Sequence, residues 1–260
     1  MDKAFNLGKI FSIQFRLHFS WFIIFILVTG VLVYPNYSRW LYWLTGIVAS
    51  LLFFTSVVAH ELAHSLVGRA NGIPISSITL FIFGGVASMT REASRPGAEF
   101  KMAVAGPICS LVIGVFFGLI SLISAIPDPI AAMVFWLALM NIILAVFNLV
   151  PGFPLDGGRI FRSLLWKITG NYSQSTRIAI RLGQSIGFIL ILGGLVTALL
   201  RPFNLTWFEG IWIAFIGLFL TSVSSASYRQ FRLQERPSFS NPGDNISSNY
   251  PVNSTNIKTE

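Results

Sequence analysis

The sequence is poor in charged residues and in cysteine, and each shortage excludes a class of protein. Asp, Glu, Lys and Arg make up 11% of the 260 residues, whereas soluble domains carry about 25%. With 54% hydrophobic residues, most of the chain has lipid rather than water as its solvent. The single cysteine, Cys109, excludes an internal disulfide and a multi-cysteine metal site. Although the net charge is +8, the basic residues are scattered between apolar stretches, which argues against nucleic-acid binding.

Six apolar stretches approach the length of about 20 residues that a helix needs to cross a bilayer. No small-residue cleavage pattern follows the first stretch, so it indicates a membrane span rather than a cleavable leader. The predicted fold class is an all-α membrane protein with about six transmembrane helices. The predicted spans are Leu17–Tyr34, Trp40–Ala59, Met102–Pro127, Pro129–Leu149, Leu182–Leu200 and Gly210–Tyr228.

The basic residues predict an orientation, because Lys and Arg accumulate on the cytoplasmic side of a membrane. Sixteen of the 18 lie in the N-terminal segment, in the gaps after the second and fourth spans, or in the C-terminal tail. Only Arg39 and Arg201 lie in the alternate gaps. Both termini are therefore predicted to be cytoplasmic. The predicted division is an N-terminal segment 1–16, a membrane domain 17–230, and a disordered tail 231–260 that has too few apolar residues to fold.

His60, Glu61 and His64 form the pattern H-E-x-x-H at the end of the second span. Residues four apart lie on one face of a helix, so the two imidazoles can bind one Zn²⁺ with Glu61 beside them as general base. Since the chain has only three histidines, a chance match is rare. A pair of helix-end histidines held by hydrogen bonds is the alternative, but ionisable residues in a membrane span are costly and usually functional.

A hydrolytic zinc site usually has three protein ligands and leaves a fourth position for water. Asp156 follows the fourth span at the same predicted membrane face as the histidines, whereas Asp128 and Glu209 lie at the opposite face. Prolines and glycines around Asp156 break the helix and free the backbone to direct this side chain inward. A carboxylate also brings zinc, two imidazoles and a hydroxide to zero net charge, which costs least in a low dielectric. His18, near the start of the first span, is the alternative third ligand.

Four motifs follow one another along the chain: HELAH at 60–64, FIFGGVA at 81–87, AGP at 105–107 and NLVPGFPLDGGR at 148–159. In this order they resemble the bacterial branch of the site-2 protease family, the intramembrane zinc metalloproteases of peptidase family M50. The resemblance covers about residues 60–230 and implies one zinc per chain held by His60, His64 and Asp156, with Glu61 as base. It also implies a transmembrane protein as substrate and, as location, the plasma membrane of a bacterium. Many relatives carry an appended regulatory domain, which we do not expect here.

The segment Ile75–Thr90 is apolar and β-prone but too short to cross the membrane. Because Gly84 and Gly85 permit a sharp bend, we predict a membrane-associated β-hairpin between the second and third helices. An extended substrate can pair with such a strand edge; an interfacial loop without substrate contact is the alternative. Asn148, at the end of the fourth span, could support the oxyanion or position the peptide, although interhelical hydrogen bonding is equally consistent with its position.

The predicted function is hydrolysis of peptide bonds in membrane-spanning substrates, that is, regulated intramembrane proteolysis. A metal transporter is one alternative, but it would need polar residues along a full path, and the first, fifth and sixth spans offer few. A non-proteolytic protein that binds membrane helices is the other, and it would not need Glu61.

Overall fold

The computed structural model describes residues 4–34, 39–81, 84–89, 91–123, 127–201 and 206–235. Within these ranges the chain forms seven helices and one small sheet. The helices are α1 (Ser20–Val33), α2 (Trp40–Ala70), α3 (Pro96–Ser121), α4 (Asp128–Asn148), α5 (Asp156–Thr169), α6 (Tyr172–Leu200) and α7 (Trp207–Glu235). The strands are β1 (Ala4–Ile10), β2 (Ile13–His18), β3 (Ile75–Phe81) and β4 (Gly84–Met89).

Five of these helices, α2, α3, α4, α6 and α7, are long and apolar enough to cross a membrane, judged by length and composition. They correspond to the second to sixth predicted spans, and the predicted all-α membrane fold with a β-hairpin is confirmed. The first predicted span, Leu17–Tyr34, is shorter in the structure. Its helix α1 has 14 residues, because Leu17 and His18 belong to β2.

Two helices extend beyond the predicted spans. Helix α2 continues from the predicted end at Ala59 to Ala70, so the H-E-x-x-H motif lies inside the helix. Helix α3 begins at Pro96 rather than at Met102, since a proline fits the first turn, where its missing N–H leaves no bond unmade. Hydropathy predicts only the apolar part of a helix. Helix α2 extends beyond this part at its C-terminal end, and α3 at its N-terminal end.

The predicted hairpin is present as β3 and β4, and it belongs to a four-stranded sheet of order β1-β2-β3-β4. Strands β1 and β2 pair antiparallel, β2 and β3 parallel, and β3 and β4 antiparallel. Residues 4–16, predicted only as an N-terminal segment, form β1 and most of β2. The buried face of the sheet packs on α1 and α2 through Trp21, Val58 and Leu62. The buried face of the sheet consists of Ile13, Phe15, Leu17, Ile78 and Leu80. Because Leu62 belongs to the H-E-x-x-H motif, the sheet packs directly against the part of α2 that carries the two histidines.

Helix α7 extends to Glu235, so the predicted domain boundary at residue 230 falls within this helix. Most of the predicted disordered tail, residues 236–260, lies outside the described residues. The division into an N-terminal segment, a membrane domain and a tail stays a prediction.

Candidate metal centre

Three side chains that the sequence proposed as ligands converge at one point. His60 Nε2 and His64 Nε2 lie 3.1 Å apart, and Asp156 Oδ2 lies 3.2 Å from the first and 3.0 Å from the second. Both histidines are buried and Asp156 is half-buried. Among the described residues these three form a group that could hold a metal ion, with ligand atoms all within 4.8 Å of one another.

Helix α3 orients both imidazoles through their other ring nitrogen. His64 Nδ1 lies 2.7 Å from the carbonyl oxygen of Met102. Because a carbonyl only accepts hydrogen bonds, Nδ1 must carry the proton, which leaves the Nε2 lone pair of the neutral ring directed at the centre. His60 Nδ1 shares a hydrogen bond of 2.8 Å with the fully buried hydroxyl of Ser110. Partners of this kind fix the tautomer and the orientation of metal-binding histidines.

Gly106 allows α3 to approach the two rings closely. A Cβ built at this position would overlap His64 Nε2 and would lie 2.6 Å from His60 Nε2. Any larger residue would therefore displace the ligand atoms. The AGP triplet singled out in the sequence thus has a steric role in the centre, although its letters alone do not disclose which side chains it faces.

Asp156 occupies the first position of α5, directly after the loop that follows α4. Burial alone raises the pKa of its carboxyl, but the two imidazoles that face Oδ2 outweigh burial and hold the pKa below its usual range. The carboxylate is therefore ionised at neutral pH, which is the form that binds a cation.

Glu61 lies beneath strand β4. A Cβ built at Gly85 would lie 2.7 Å from the Cδ atom of Glu61 and 3.1 Å from its Oε1. The hairpin backbone thus passes directly over the carboxyl group of the motif. Gly84 pairs with Phe81 at the start of the same strand, so it lies next to this contact.

Two other sequence candidates are held elsewhere. His18 Nδ1 accepts a hydrogen bond of 3.2 Å from the backbone N–H of Ser20, and its ring packs on Phe81 with centroids 5.0 Å apart. The structure does not bring it into the histidine–aspartate group. The Asn148 amide donates to the carbonyl of Leu144 within α4 over 2.9 Å, so a role in substrate binding stays a prediction.

Sequence reasoning missed Ser110 and the Met102 carbonyl. Ser110 follows Gly106 by four residues and thus shares its helix face, which is the only signal the sequence offers. A backbone carbonyl has no sequence signal at all, because its position depends on how α3 packs against α2.

Several known proteins have sequences similar to that of this chain. The sequence model of Peptidase family M50 matches residues 48–128 and 121–193. A Synechocystis protein with the provisional name zinc metalloprotease is 39% identical over 259 residues, which cover 97% of this chain and 67% of the relative. A zinc metalloprotease of Methanocaldococcus jannaschii is 36% identical over 197 residues, which cover 76% of this chain and 56% of the relative. The chain thus spans about two thirds or less of the length of these curated relatives.

A solved structure has the same fold. The site-2 protease from Methanocaldococcus jannaschii superposes with a TM-score of 0.60 at 32% identity, covering 86% of this chain and 94% of that chain. Fold and motifs together define a membrane-embedded metalloprotease of the zinc class, as predicted. The chain belongs to peptidase family M50, the site-2 protease family.

Proposed function

We propose that this chain is a zinc metalloendopeptidase that hydrolyses peptide bonds of membrane-spanning protein substrates. The observation that carries the proposal is the convergence of His60 Nε2, His64 Nε2 and Asp156 Oδ2 on one point, beside the carboxyl group of Glu61. One zinc ion per chain would occupy this point.

The donor set fits zinc in chemistry and in spacing. Two neutral imidazoles and a carboxylate form a common ligand set of catalytic zinc sites. Two ligand atoms at about 2.05 Å from a metal with tetrahedral geometry lie about 3.3 Å apart. The three separations here, 3.0, 3.1 and 3.2 Å, approach that value without rearrangement. Three protein ligands leave the fourth position of a tetrahedral site for water.

When bound, zinc supplies Lewis acidity that activates a water molecule at neutral pH and polarises the scissile carbonyl. Glu61 accepts the proton of the attacking water and delivers it to the leaving amine, which makes it general base and then general acid. Met102 and Ser110 keep His64 and His60 in the orientation that presents Nε2. Asp156 supplies the negative charge that keeps the buried centre close to neutral.

The hairpin would present the substrate. Within the described part of the chain, β4 is the last strand of the sheet and pairs with β3 alone. A substrate helix hides its peptide bonds in internal hydrogen bonds, so it must be extended before it can be cut. Pairing of the extended segment with the free edge of β4 would place a peptide bond near Glu61, because Gly85 brings this strand against that side chain.

The expected location is the plasma membrane of a bacterium, with both termini in the cytoplasm. Support for this orientation comes from the excess of basic residues in the N-terminal segment and in alternate gaps between spans, because basic residues are retained on the cytoplasmic side.

The decisive variant is Glu61→Gln, which removes the proton acceptor and keeps the size of the side chain. We expect zinc content to stay near one per chain, while cleavage of transmembrane peptides in proteoliposomes falls about 10²–10⁴-fold. Zinc is measured by elemental analysis and cleavage by mass spectrometry, with Glu209→Gln, on an exposed turn of α7, as matched control. Full cleavage by the purified Glu61→Gln protein, or zinc flux across the vesicles without cleavage by the wild type, would contradict the proposal.

A further inference from the structure

Arg162 is a buried cation on α5, six residues after Asp156. Its side chain is 5% exposed, and that of its partner Glu99 is 1% exposed. Arg162 Nε donates to Glu99 Oε1 over 2.8 Å, and Nη2 donates to the same oxygen. Nη2 also lies 3.5 Å from Oε2 of Glu92, in the segment between β4 and α3. One guanidinium therefore joins α5 to the start of α3 and to the chain that leaves the hairpin.

The same guanidinium packs on two aromatic rings. Its Cζ lies 4.8 Å from the ring centroid of Phe153 and 4.8 Å from that of Tyr172. Phe153 belongs to the loop that leads into Asp156, and Tyr172 is the first residue of α6. Arginine can donate through a planar fork and stack on rings at once, which lysine cannot do equally. Arg162 thus fixes both the loop before Asp156 and the helix after it.

Helix α3 is the common frame of these contacts. It carries Glu99, and it also carries Met102 and Ser110, whose oxygens orient His64 and His60. The bond between Glu99 and Arg162 therefore holds α5 to the helix that sets both imidazoles. Asp156 is about 9 Å along α5 from Arg162, so a shift of this helix would carry the carboxylate away from the histidines.

The pair is poorly suited to stabilise the fold. Removing two charges from water offsets much of their attraction, so buried ion pairs contribute little net stability. Oε2 of Glu99 is buried and has no hydrogen-bond partner among the described residues, which adds to the cost. Fixing geometry is the other role that buried ion pairs have in some proteins.

We propose that the Arg162–Glu99 ion pair sets Asp156 at ligand distance from His60 and His64, which makes Arg162 a positioning residue of the metal centre. The inference rests on the proposed function, because it takes Asp156 as a zinc ligand. It predicts that the pair acts on zinc through Asp156 alone.

The test is a double-mutant cycle on zinc affinity in the purified full-length chain. Arg162→Met combined with Glu99→Leu removes the pair without leaving a buried charge unpaired. We expect zinc affinity, measured by chelator competition, to fall about 10–100-fold, as for other residues that orient a ligand. In a chain that carries Asp156→Ala, the same two substitutions should change zinc affinity by less than about twofold, since the ligand they position is absent.

Ser110→Ala is the matched control, because Ser110 acts through His60. Its effect on zinc affinity should be of similar size with Asp156 present and with Asp156→Ala. Arg162→Lys, with Glu99 intact, keeps the charge and loses the fork and the stacking. It should give a smaller loss with the same dependence on Asp156, and it carries the cycle if the pair-deleted chain fails to insert. Helix content by circular dichroism confirms that the compared variants are folded.

Two results would separate the inference from the proposed function. If removing the pair lowers zinc affinity equally with and without Asp156, the pair supports the fold in general and the inference is overturned, while the ligand set stands. If Asp156→Ala alone leaves zinc affinity unchanged, the proposed ligand set fails, and the inference fails with it.

Discussion

The third ligand is the residue on which the proposed centre most depends. Asp156→Ala should lower zinc content and abolish cleavage, because two histidines alone bind the ion weakly and leave its charge less compensated. His18→Ala should leave both properties intact, since that imidazole is bonded to Ser20 outside the group. Zinc analysis and cleavage assays on both purified variants make the comparison. Stoichiometric zinc in Asp156→Ala with loss in His18→Ala would make His18 the third ligand instead.

Two glycines should separate metal binding from proton transfer. Gly106→Ala would place a methyl group against the Nε2 atoms of His60 and His64, so we expect zinc to be lost together with activity. Gly85→Ala would press on Glu61 instead, so zinc should stay while cleavage falls. Both variants are assayed for zinc content and for turnover.

Gly118, on the same helix α3 as Gly106, provides the control for this pair of variants. Its added Cβ would meet only the Ala138 Cβ at 3.9 Å, which is an ordinary contact. It should leave zinc content and turnover unchanged. Loss of zinc in Gly85→Ala, or full activity in Gly106→Ala, would show that the rings and the hairpin are arranged differently from this structure.

At the scale of elements, spacing and hydropathy predict the helices that cross the membrane and the histidine pair on α2. They do not predict where helices end, because α2 and α3 continue beyond the apolar part of their sequence. They also miss the β1–β2 hairpin. Its alternating apolar residues Ile13, Phe15 and Leu17 come directly before the apolar stretch of α1, so hydropathy does not separate the strand from the helix. The parallel pairing of Gln14 with Ser77 joins distant segments that no local pattern connects. The sequence favours Asp156 over His18 as the third ligand, and the structure brings Asp156 to the two histidines, whereas the contacts of Ser110 and Arg162 depend on packing between helices.

The close approach of α6 and α7 provides a test at this scale. A Cβ at Gly194 would overlap the backbone of Ala214 and lie 2.6 Å from the carbonyl oxygen of Gly210, as small residues at a membrane helix interface allow. Gly194→Ala should lower the free energy of unfolding by about 1–3 kcal/mol. Its neighbour Gly193 has nothing within 4 Å of an added Cβ, so Gly193→Ala should not destabilise. Unfolding in mixed detergent micelles gives both values, and equal destabilisation by both would contradict this packing of α6 on α7.

For the whole molecule, the number of crossings decides on which sides the two termini lie. Five helices have full spanning length, and an odd number of crossings would place the termini on opposite sides of the membrane. Helix α1, with 14 residues, extends about 21 Å, less than the roughly 30 Å of hydrocarbon. A short apolar helix can still cross where the bilayer thins around it. Lys3, Lys9 and Arg16 before α1, with Arg39 alone before α2, favour a crossing, because the cytoplasmic end of a span carries more basic residues.

We therefore expect six crossings, with both termini in the cytoplasm and the α3–α4 connection outside. A fluorescent protein that folds only in the cytoplasm should fluoresce when fused before Met1 or after Glu235, where α7 ends. Alkaline phosphatase, active only outside, should be active when fused at Asp128, the first residue of α4. The fusion before Met1 is the one that tests α1. If the fusion before Met1 stays dark while the fusion after Glu235 fluoresces, α1 does not cross the membrane. The sheet that β1 and β2 form with β3 and β4 could then not lie beside Glu61 on the cytoplasmic side.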